Sequence, residues 1–287
     1  MTDEPIIRPA AEADVPAMVA IHDANDEAPP EGPAAVPGAR EWHFRHLLAR
    51  ARIRVAVAGG DVVGFGAVVD TGRARHLADL FTVPDRAGAG IGRRLLDELL
   101  EDRWPRTTFA SDDPRAMRLY VAAGMRPYWP NFYMTGDARR LPATDGLEVR
   151  AVSAQEVARI EAGWTGVDRS PDHELWAARA GDRPFVVRST GSATPLAVGH
   201  SRPRIRGSGR WLERLPIAPG EDPVGPIVAA LVAGADADGR IGGCVPGPNS
   251  VLPVLLDAGF RIADRDTAMA SDPALFDVNG IVDTGIP

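Results

Sequence analysis

The sequence predicts a mixed α/β fold made of two consecutive domains, and three observations support this. The chain has 287 residues, of which 45% are hydrophobic and 25% charged, an ordinary globular composition. Its length suits two domains of about 140 residues each. Strand-like and helix-like segments alternate in the first half, and the second half repeats their order in weaker form.

Hydrophobic spacing and turn residues define the elements of the first half. A strand over 5–8 precedes a helix over 12–25, and an acidic, proline-rich loop then leads to a second helix over 39–50. The segments that follow predict strands at 52–58 and 61–69 joined by a Gly59-Gly60 hairpin, a strand at 76–83 stopped by Pro84, a helix at 90–103, a strand at 107–110, a helix at 114–123 and two extended segments between 125 and 134.

Two pairs of similar segments favour an internal duplication. Residues 7–15 resemble 149–157, and LYVAAGMRP (119–127) resembles VLLDAGFRI (254–262), in the same order along the chain. Two unrelated small α/β domains could also share such patterns, so that alternative stays open. We expect domains at 1–140 and 146–287, joined by a polar linker.

Composition and charge exclude several classes of function. The net charge is -7, which speaks against a nucleic-acid partner; all 32 basic residues are arginine, a bias that by itself says little about function. No apolar run reaches the roughly 20 residues of a membrane span, and the acidic N-terminus is unlike a signal peptide. The single cysteine, Cys244, predicts a small buried side chain and neither a disulfide nor a Cys-rich metal site. We therefore expect a cytoplasmic protein.

The segment LADLFTVPDRAGAGIGRRLLDELL (77–100) carries the clearest chemical signal. An apolar strand ends at a proline, and a loop with glycines at 88, 90 and 92 then opens an amphipathic helix. Backbone N–H groups at such a helix start can converge on an anion, here with Arg86, Arg93 and Arg94 nearby. A dinucleotide-binding loop would follow the first strand, and a P-loop needs a lysine, which this chain lacks. The segment predicts a pyrophosphate site.

Two motifs resemble those of the GCN5-related N-acetyltransferases (GNAT). VPDRAGAGIGRRLL (83–96) is similar to their acyl-CoA pyrophosphate motif, Q/R-x-x-G-x-G/A, and DPRAMRLYVAAGM (113–125) to their N-x-x-A-x-x-L-Y-x-x-x-G-F segment. The resemblance is strong over residues 5–135 and weaker over 147–271. It implies a tandem GNAT protein, similar in layout to mycothiol synthase, with a degenerate second domain.

The resemblance implies acetyl-CoA as cosubstrate and a set of residues that bind it. The family's Gln/Arg position falls on Ala87, with Arg86 one place earlier, and its asparagine position falls on Asp113. The implied binding residues are Phe81, Thr82, Val83, Arg86, Ala87, Gly88, Ala89, Gly90, Ile91, Gly92, Arg93 and Asp113.

The resemblance also implies direct transfer of an acetyl group to an amine. Tyr120 matches the family's general acid, and Asp79 lies on the fourth strand where the family often carries a base. From the residues alone, the alternatives are that Tyr120 packs on its helix and that Asp79 belongs to an ion pair or faces solvent. A non-catalytic acyl-CoA-binding or sensing protein remains the alternative function.

The acceptor is predicted to be a small-molecule amine or a peptide. Glu27 and Glu31 make the loop over 26–38 acidic, which favours a cationic acceptor, although a solvated surface loop would look the same. His43 and His46 are three residues apart with no clear third ligand, so no metal site is predicted. A tandem pair of domains favours a monomer, with no nucleic acid or membrane as partner.

The second half lacks the catalytic signals of the first. Where the phosphate loop would lie, its sequence is IAPGEDPVG (217–225), and Glu221 and Asp222 would repel an anion. The tyrosine position falls on Leu255. We expect this half to be a degenerate copy without a working acetyl-CoA site.

Overall fold

The computed structural model describes residues 4–25, 38–102, 104–205 and 207–286. The chain forms two compact units. The first comprises the described residues up to Tyr128 together with 268–275 and Ile286, and the second comprises 129–267 and 276–285. The domain boundary expected between residues 140 and 146 concerns the sequence repeat and stays a prediction.

The elements that begin in the first unit confirm the order expected from the sequence. They are β1 (Ile6–Pro9), α1 (Val15–Asn25), α2 (Ala39–Arg50), β2 (Ala51–Ala58), β3 (Asp61–Asp70), β4 (Arg75–Thr82), α3 (Ile91–Leu99), β5 (Arg106–Ala110), α4 (Pro114–Ala122) and β6 (Arg126–Asp137), the last of which continues into the second unit.

The second unit repeats this order, so the mixed α/β class is confirmed. Its elements are β7 (Leu147–Ala151), α5 (Ala154–Thr165), α6 (Ser170–Ala177), β8 (Arg183–Ser189), β9 (Pro195–Pro203), β10 (Arg210–Arg214), α7 (Val224–Gly234), β11 (Arg240–Pro246), α8 (Leu252–Asp257) and β12 (Arg261–Ala270), which ends in the first unit.

The ends of α4 and α8 have the same backbone geometry. The N–H of Met125 donates to the Tyr120 carbonyl across a glycine, Gly124, with φ of 89°. The N–H of Phe260 donates to the Leu255 carbonyl across Gly259, with φ of 82°. Both are Schellman motifs, which need a residue in the left-handed region. The sequence match between 119–127 and 254–262 therefore corresponds to a shared structure.

Two predicted element boundaries were wrong. Helix α3 ends at Leu99 rather than at residue 103. The Arg106 guanidinium donates to the carbonyl oxygens of Leu100 and Asp102 at 2.7 and 2.6 Å. These carbonyl groups, which follow the helix, therefore have hydrogen-bond partners without a further helical turn. The two extended segments predicted between 125 and 134 are one strand, β6, which runs from Arg126 to Asp137 and pairs with β11 from Asn131 to its end.

Unit 1 is a five-stranded arrangement in the order β1-β2-β3-β4-β5 with helices on both faces. All neighbouring pairs are antiparallel except β4 and β5. On one face of β3, Phe65 packs against Phe44 of α2, with ring centroids 5.2 Å apart. On the other face Gly66 lies under Leu99, so that α3 approaches the sheet closely.

Residues 268–275 complete this unit beside β5. The N–H of Ser271 donates to the Arg106 carbonyl at 2.9 Å, and the N–H of Arg106 donates to Ser271 Oγ at 3.0 Å. Met269 is fully buried in the apolar cluster that also contains Tyr120 and Leu77. A segment from the far end of the sequence thus forms part of the first unit's core.

Unit 2 has the strand order β6-β11-β10-β9-β8-β7 and a large core built on α7. Cys244 of β11 is buried, as predicted, and burial raises the pKa of its thiol. None of the described helices has the length and apolar character that crossing a membrane requires.

A buried polar chain lies between α5, α6, β9 and the loop before β8. Glu161 Oε2 lies 2.8 Å from His173 Nε2, His173 Nδ1 lies 3.0 Å from His200 Nε2, and His200 Nδ1 lies 2.7 Å from Asp182 Oδ2. Burial lowers the pKa of His173, which favours its neutral ring, so the tautomer of that ring sets the direction of its two hydrogen bonds.

Arg214 forms an ion pair with the glutamate at one end of this polar chain. Its Nη2 donates to Glu161 Oε1 at 2.7 Å, and the Arg169 guanidinium lies 3.9 Å from the same oxygen. Burial opposes ionisation of Glu161, but Arg214, His173 and Arg169 outweigh it and hold the pKa of that carboxyl well below its usual range. The core of unit 2 is therefore held by paired charges as well as by apolar packing.

Replacing Gly66 with valine should destabilise the first unit by about 1–3 kcal/mol, because even a Cβ at this position would lie 2.6 Å from Leu99 Cδ1. Urea unfolding measures the loss. Gly163→Ala is the control: this α5 glycine has open space around it, so alanine should raise stability by up to about 1 kcal/mol. Equal stability of Gly66→Val and the unsubstituted protein would contradict the close approach of α3.

Glu161→Gln should lower the free energy of unfolding by about 3–5 kcal/mol at pH 7, since it leaves Arg214 buried without its carboxylate. The folded-state pKa of Glu161 is depressed from 4.5, so its contribution is complete above that pH and is lost as the pH falls below it. Urea unfolding at a series of pH values should show the two proteins converging in acid. A constant difference down to pH 3 would contradict the assignment.

Candidate active site

Strands β4 and β5 stop pairing partway along β4. They pair in parallel over only three positions, from Arg75 opposite Arg106 to Leu77 opposite Thr108. A bulge at Ala78 shifts the register of β4 against β3, and β4 then continues to Thr82 without pairing to β5. A bulge bends its strand and re-aims the side chains that follow it. The two strands therefore splay apart beyond Leu77.

Helix α3 begins beside this opening with no side-chain cap. Gly90 is its N-cap at φ 80°, Gly88 has φ 84°, and residues 84–90 are all exposed. The first hydrogen bond within the helix runs from the Arg94 N–H to the Gly90 carbonyl at 3.1 Å. The N–H groups of Ile91, Gly92 and Arg93 therefore point out of the helix end, at the positive pole of its dipole.

Several other backbone N–H groups among the residues predicted to bind the cofactor already donate hydrogen bonds to carbonyl groups of the chain. The N–H of Val83 donates to the Val63 carbonyl at 3.0 Å, and those of Ala87 and Ala89 donate to the carbonyls of Pro84 and Arg86. The side chain of Arg86 is exposed, and Arg93 forms an i,i+4 ion pair with Asp97 at 3.7 Å. The donors directed outward at this end are those of the α3 N-terminus.

The outer end of β4 is tied to α1. Asn25 Nδ2 donates to the Thr82 carbonyl at 3.0 Å and to the Ile21 carbonyl at 2.8 Å. Phe81 packs against His22, with ring centroids 4.9 Å apart. Sequence reasoning did not single out Asn25, since only the fold brings the two elements together. This contact fixes where β4 ends relative to the loop that follows.

Asp113 caps α4, and its described contacts are local. Its Oδ1 accepts from the Arg115 N–H at 2.8 Å, and its Oδ2 lies 2.9 Å from Arg115 Nη2. The Arg115 guanidinium beside Asp113 holds the pKa of that carboxyl below its usual range. The capping role is shown; a contact between Asp113 and a cofactor stays a prediction.

Asp79 lies directly after the bulge, with its side chain toward α2. It is only 8% exposed, and its Oδ2 lies 4.0 Å from His43 Nε2. His43 is 27% exposed and also packs against Phe44. The sequence offered His43 only as one of two helical histidines, because the pairing with Asp79 depends on how α2 packs on the sheet. A carboxylate and an imidazole thus meet at the splayed strand.

Tyr120 lies on α4 near the same opening. It is 7% exposed and belongs to an apolar cluster with Leu77, Ala110 and Met269. Leu77 is the last residue of β4 that pairs with β5, and Ala110 is the last residue of β5. Tyr120 therefore packs in the core of the first unit. Its role as an acid stays a prediction.

Glu27 and Glu31 lie outside the described residues. Among the residues that are described, no three histidine, cysteine, aspartate or glutamate side chains converge as metal ligands would.

The second unit has a counterpart of this opening with the opposite charge. Strands β10 and β11 pair over three positions, and β10 carries a bulge at Glu213 before Arg214. Arg214 thus occupies the place that Asp79 has after its own bulge. Its partner Glu161 comes from α5, the counterpart of α1. A guanidinium cannot act as the base expected of Asp79.

A segment of the chain itself lies between β10 and β11 beyond their last pair. The N–H of Leu215 donates to the Ile281 carbonyl at 3.0 Å, and the N–H of Ile281 donates to the Leu215 carbonyl at 3.1 Å. The N–H of Val282 donates to the Cys244 carbonyl at 3.1 Å. Asn249 Nδ2 donates to the Asn279 carbonyl at 2.8 Å. Residues 279–282 therefore fill the splayed opening of the second unit.

The helix that follows this second opening starts at an acidic side chain. Asp222 Oδ1 accepts from the Val224 N–H, the first residue of α7, at 3.1 Å. Glu221 is exposed next to it. A carboxylate therefore lies where α3 offers N–H groups in the first unit, and it opposes a phosphate at this position.

Comparison with known proteins agrees with this geometry. Residues 49–125 match the family model of the acetyltransferase (GNAT) domain. No curated protein gives a significant sequence match. The chain is similar in structure to a candidate acetyltransferase from Pyrococcus horikoshii, with 17% identity, a TM-score of 0.70, and coverage of 99% of this chain and 92% of that one.

Two further structures show the same fold. A GCN5-related N-acetyltransferase from Kribbella flavida has 17% identity and a TM-score of 0.63, covering 94% of this chain and 71% of that one. A tandem GNAT protein from the clavulanic acid biosynthesis pathway has 17% identity and a TM-score of 0.60, covering 94% and 99%. The fold is thus that of tandem GNAT proteins, and residues 49–125 of this chain match the GNAT acetyltransferase domain.

Proposed function

We propose that the first unit is an N-acetyltransferase that transfers an acetyl group from acetyl-CoA to an amine. The observation that carries this proposal is the uncapped N-terminus of α3 beside the splay of β4 and β5, inside the GNAT domain. The N–H groups of the first helical turn suit a pyrophosphate, and the part of β4 that does not pair with β5 suits an extended arm with its own amide groups.

The residues present fit acetyl-CoA at this position. A Cβ on Gly92 would meet only Leu119 Cδ1, at 3.6 Å, so the glycine is not required by packing and leaves the helix end open to a large anion. Arg86 is exposed on the same loop. Bound there, acetyl-CoA supplies an acetyl group activated as a thioester. The proposed contacts run along Phe81–Val83, through the loop at 86–90 to Ile91, Gly92 and Arg93, with Asp113 nearby.

Two side chains carry the proton transfers in this proposal. Asp79 takes a proton from the ammonium form of the acceptor, which frees the nitrogen lone pair for attack on the acetyl carbonyl. Tyr120 donates its phenolic proton to the sulfur as the carbon–sulfur bond breaks, and the second proton that the nitrogen loses on becoming an amide restores the phenol. The burial of both groups beside the strand opening supports these roles, because positioned acids and bases work best where water is limited.

The acceptor in this proposal is a cationic amine, either a small molecule or a peptide. The negative charge of Asp79 and the acidic loop with Glu27 and Glu31 favour such a group. Arg214, the filled opening and Asp222 support a second unit without its own acetyl-CoA, and hence one site per chain. We propose that the enzyme acts as a monomer in the cytoplasm, where acetyl-CoA is available.

Gly92→Asp should abolish acetyl-CoA binding without harming the fold. A carboxylate in the first turn of α3 stabilises the helix by about 0.3–1 kcal/mol but repels pyrophosphate. Calorimetry of the unsubstituted protein should give one site per chain, and the variant should bind at least about tenfold more weakly. Gly92→Ala adds the Cβ without the charge and should lose less affinity.

The matched control is Gly225→Asp, at the same position in the first turn of α7. It should leave acetyl-CoA affinity unchanged. Two equivalent sites per chain, or equal losses from the two aspartate substitutions, would contradict a single site in the first unit. Binding without acetylation of any amine would favour the non-catalytic acyl-CoA-binding alternative.

Tyr120→Phe should reduce turnover by roughly 10²-fold or more while acetyl-CoA affinity stays the same. The ring remains in its apolar cluster and only the hydroxyl is lost. Steady-state rates of thiol release with an amine acceptor test this expectation. A variant with the turnover of the unsubstituted protein would exclude Tyr120 as the acid.

A further inference from the structure

We propose that His43 is a positioning residue that passes the acceptor's proton from Asp79 to solvent. This inference rests on the proposed function. Its structural basis is the juxtaposition of a nearly buried carboxylate on β4 with a more exposed imidazole on α2, at 4.0 Å between Asp79 Oδ2 and His43 Nε2. No motif of the sequence assigns a role to His43.

The proton balance of the reaction requires an exit of this kind. An ammonium acceptor and a thioester give an amide, a free thiol and one net proton. Asp79 removes a proton from the ammonium nitrogen and becomes a neutral carboxyl group. It must lose that proton before the next turnover, and at 8% exposure it has little contact with bulk water.

His43 is placed to receive that proton. Its Nε2 faces the carboxylate, and its side chain is 27% exposed, three times the exposed fraction of the Asp79 side chain at 9%. Hydrogen bonds of catalytic groups are often longer in unliganded proteins and shorten in the reactive complex. The imidazole takes the proton on Nε2, returns Asp79 to its ionised form, and releases a proton to water from its exposed side.

The packing around α2 restrains this imidazole. His43 lies edge-on to Phe44, with ring centroids 5.5 Å apart, and Phe44 is itself buried against Phe65. Such edge-to-face contacts between aromatic rings prefer a defined geometry. The ring is therefore held toward the strand that carries Asp79.

Other charged groups on the elements around α2 have their own partners. Asp23 of α1 pairs with Arg40 at 2.7 Å, and Arg40 also contacts His22. On β2, Arg52 pairs with Glu101 at 3.2 Å and Arg54 with Glu98 at 3.5 Å. Among the described residues, Asp79 lies within ion-pair distance of His43.

The second unit supports the assignment by contrast. His173 lies on α6, the counterpart of α2, but the position after the bulge is Arg214, and Glu161 binds both side chains. A histidine is thus present in each unit, whereas a carboxylate follows the bulge only in the unit with the uncapped phosphate helix. The acid–imidazole pair and the phosphate site occur together.

The first arm of the test needs neither acetyl-CoA nor an acceptor. NMR titration of the histidine rings compares the free protein with Asp79→Asn, and His46, on the same helix, is the matched control. Losing the opposite charge should move the His43 midpoint to lower pH, since a carboxylate at this distance favours the protonated ring. His46 should move little. An unchanged His43 midpoint would overturn the proposal.

The second arm measures kcat and KM across pH by thiol release, using acetyl-CoA and the best acceptor among a polyamine, an amino sugar and an α-amino peptide. His43→Gln should lower kcat by about 10²-fold with little change in KM, and the acidic limb of the pH profile should shift. Added imidazole should restore much of the activity of His43→Ala. His46→Gln should behave like the unsubstituted protein.

The outcomes separate the two proposals. Acetylation with normal kcat in His43→Gln, or no rescue of a folded His43→Ala by imidazole, would overturn the role of His43 and leave the proposed function intact. Failure of the unsubstituted protein to bind acetyl-CoA would overturn both.

Discussion

The early end of pairing between β4 and β5 is the constraint on which the candidate site depends. Parallel strands normally satisfy each other's backbone groups along their length, and buried backbone N–H and C=O groups need partners. The bulge at Ala78 ends this pairing after three positions and turns Asp79 toward α2. It also lets α3 begin at the mouth of the opening. One bulge thus accompanies all three features of the candidate site: the edge of β4 that leaves β5, the position of the Asp79 carboxylate and the N-terminus of α3.

The second unit shows what the same framework becomes when the opening is closed. Its strands part after the same number of pairs, but residues 279–282 supply backbone partners to Leu215 and Cys244. A carboxylate sits at the start of α7, and Arg214 stands where Asp79 stands in the first unit. A few side chains and one returning segment therefore distinguish the two units, while the backbone plan is shared.

Features encoded over short stretches of sequence were predicted from it correctly. The glycines that cap α3 and end α4 act through their own φ angles, so pattern and structure agree there. The predicted end of α3 was wrong because the Arg106 guanidinium, from the strand that follows, binds the carbonyls of Leu100 and Asp102 just beyond the helix. His43 and Asn25 were missed for the same kind of reason, since their contacts with β4 arise only when α1 and α2 pack on the sheet.

The return of residues 268–275 to the first unit has a consequence for biosynthesis. Met269 belongs to the cluster around Tyr120, and Ser271 exchanges two hydrogen bonds with Arg106. The unit that carries the GNAT domain therefore cannot reach its final packing until the chain has been translated past residue 275. During elongation the edge of β5 stays without these partners, and a ribosome stalled midway would hold a nascent domain in which α4 rests on an incomplete core.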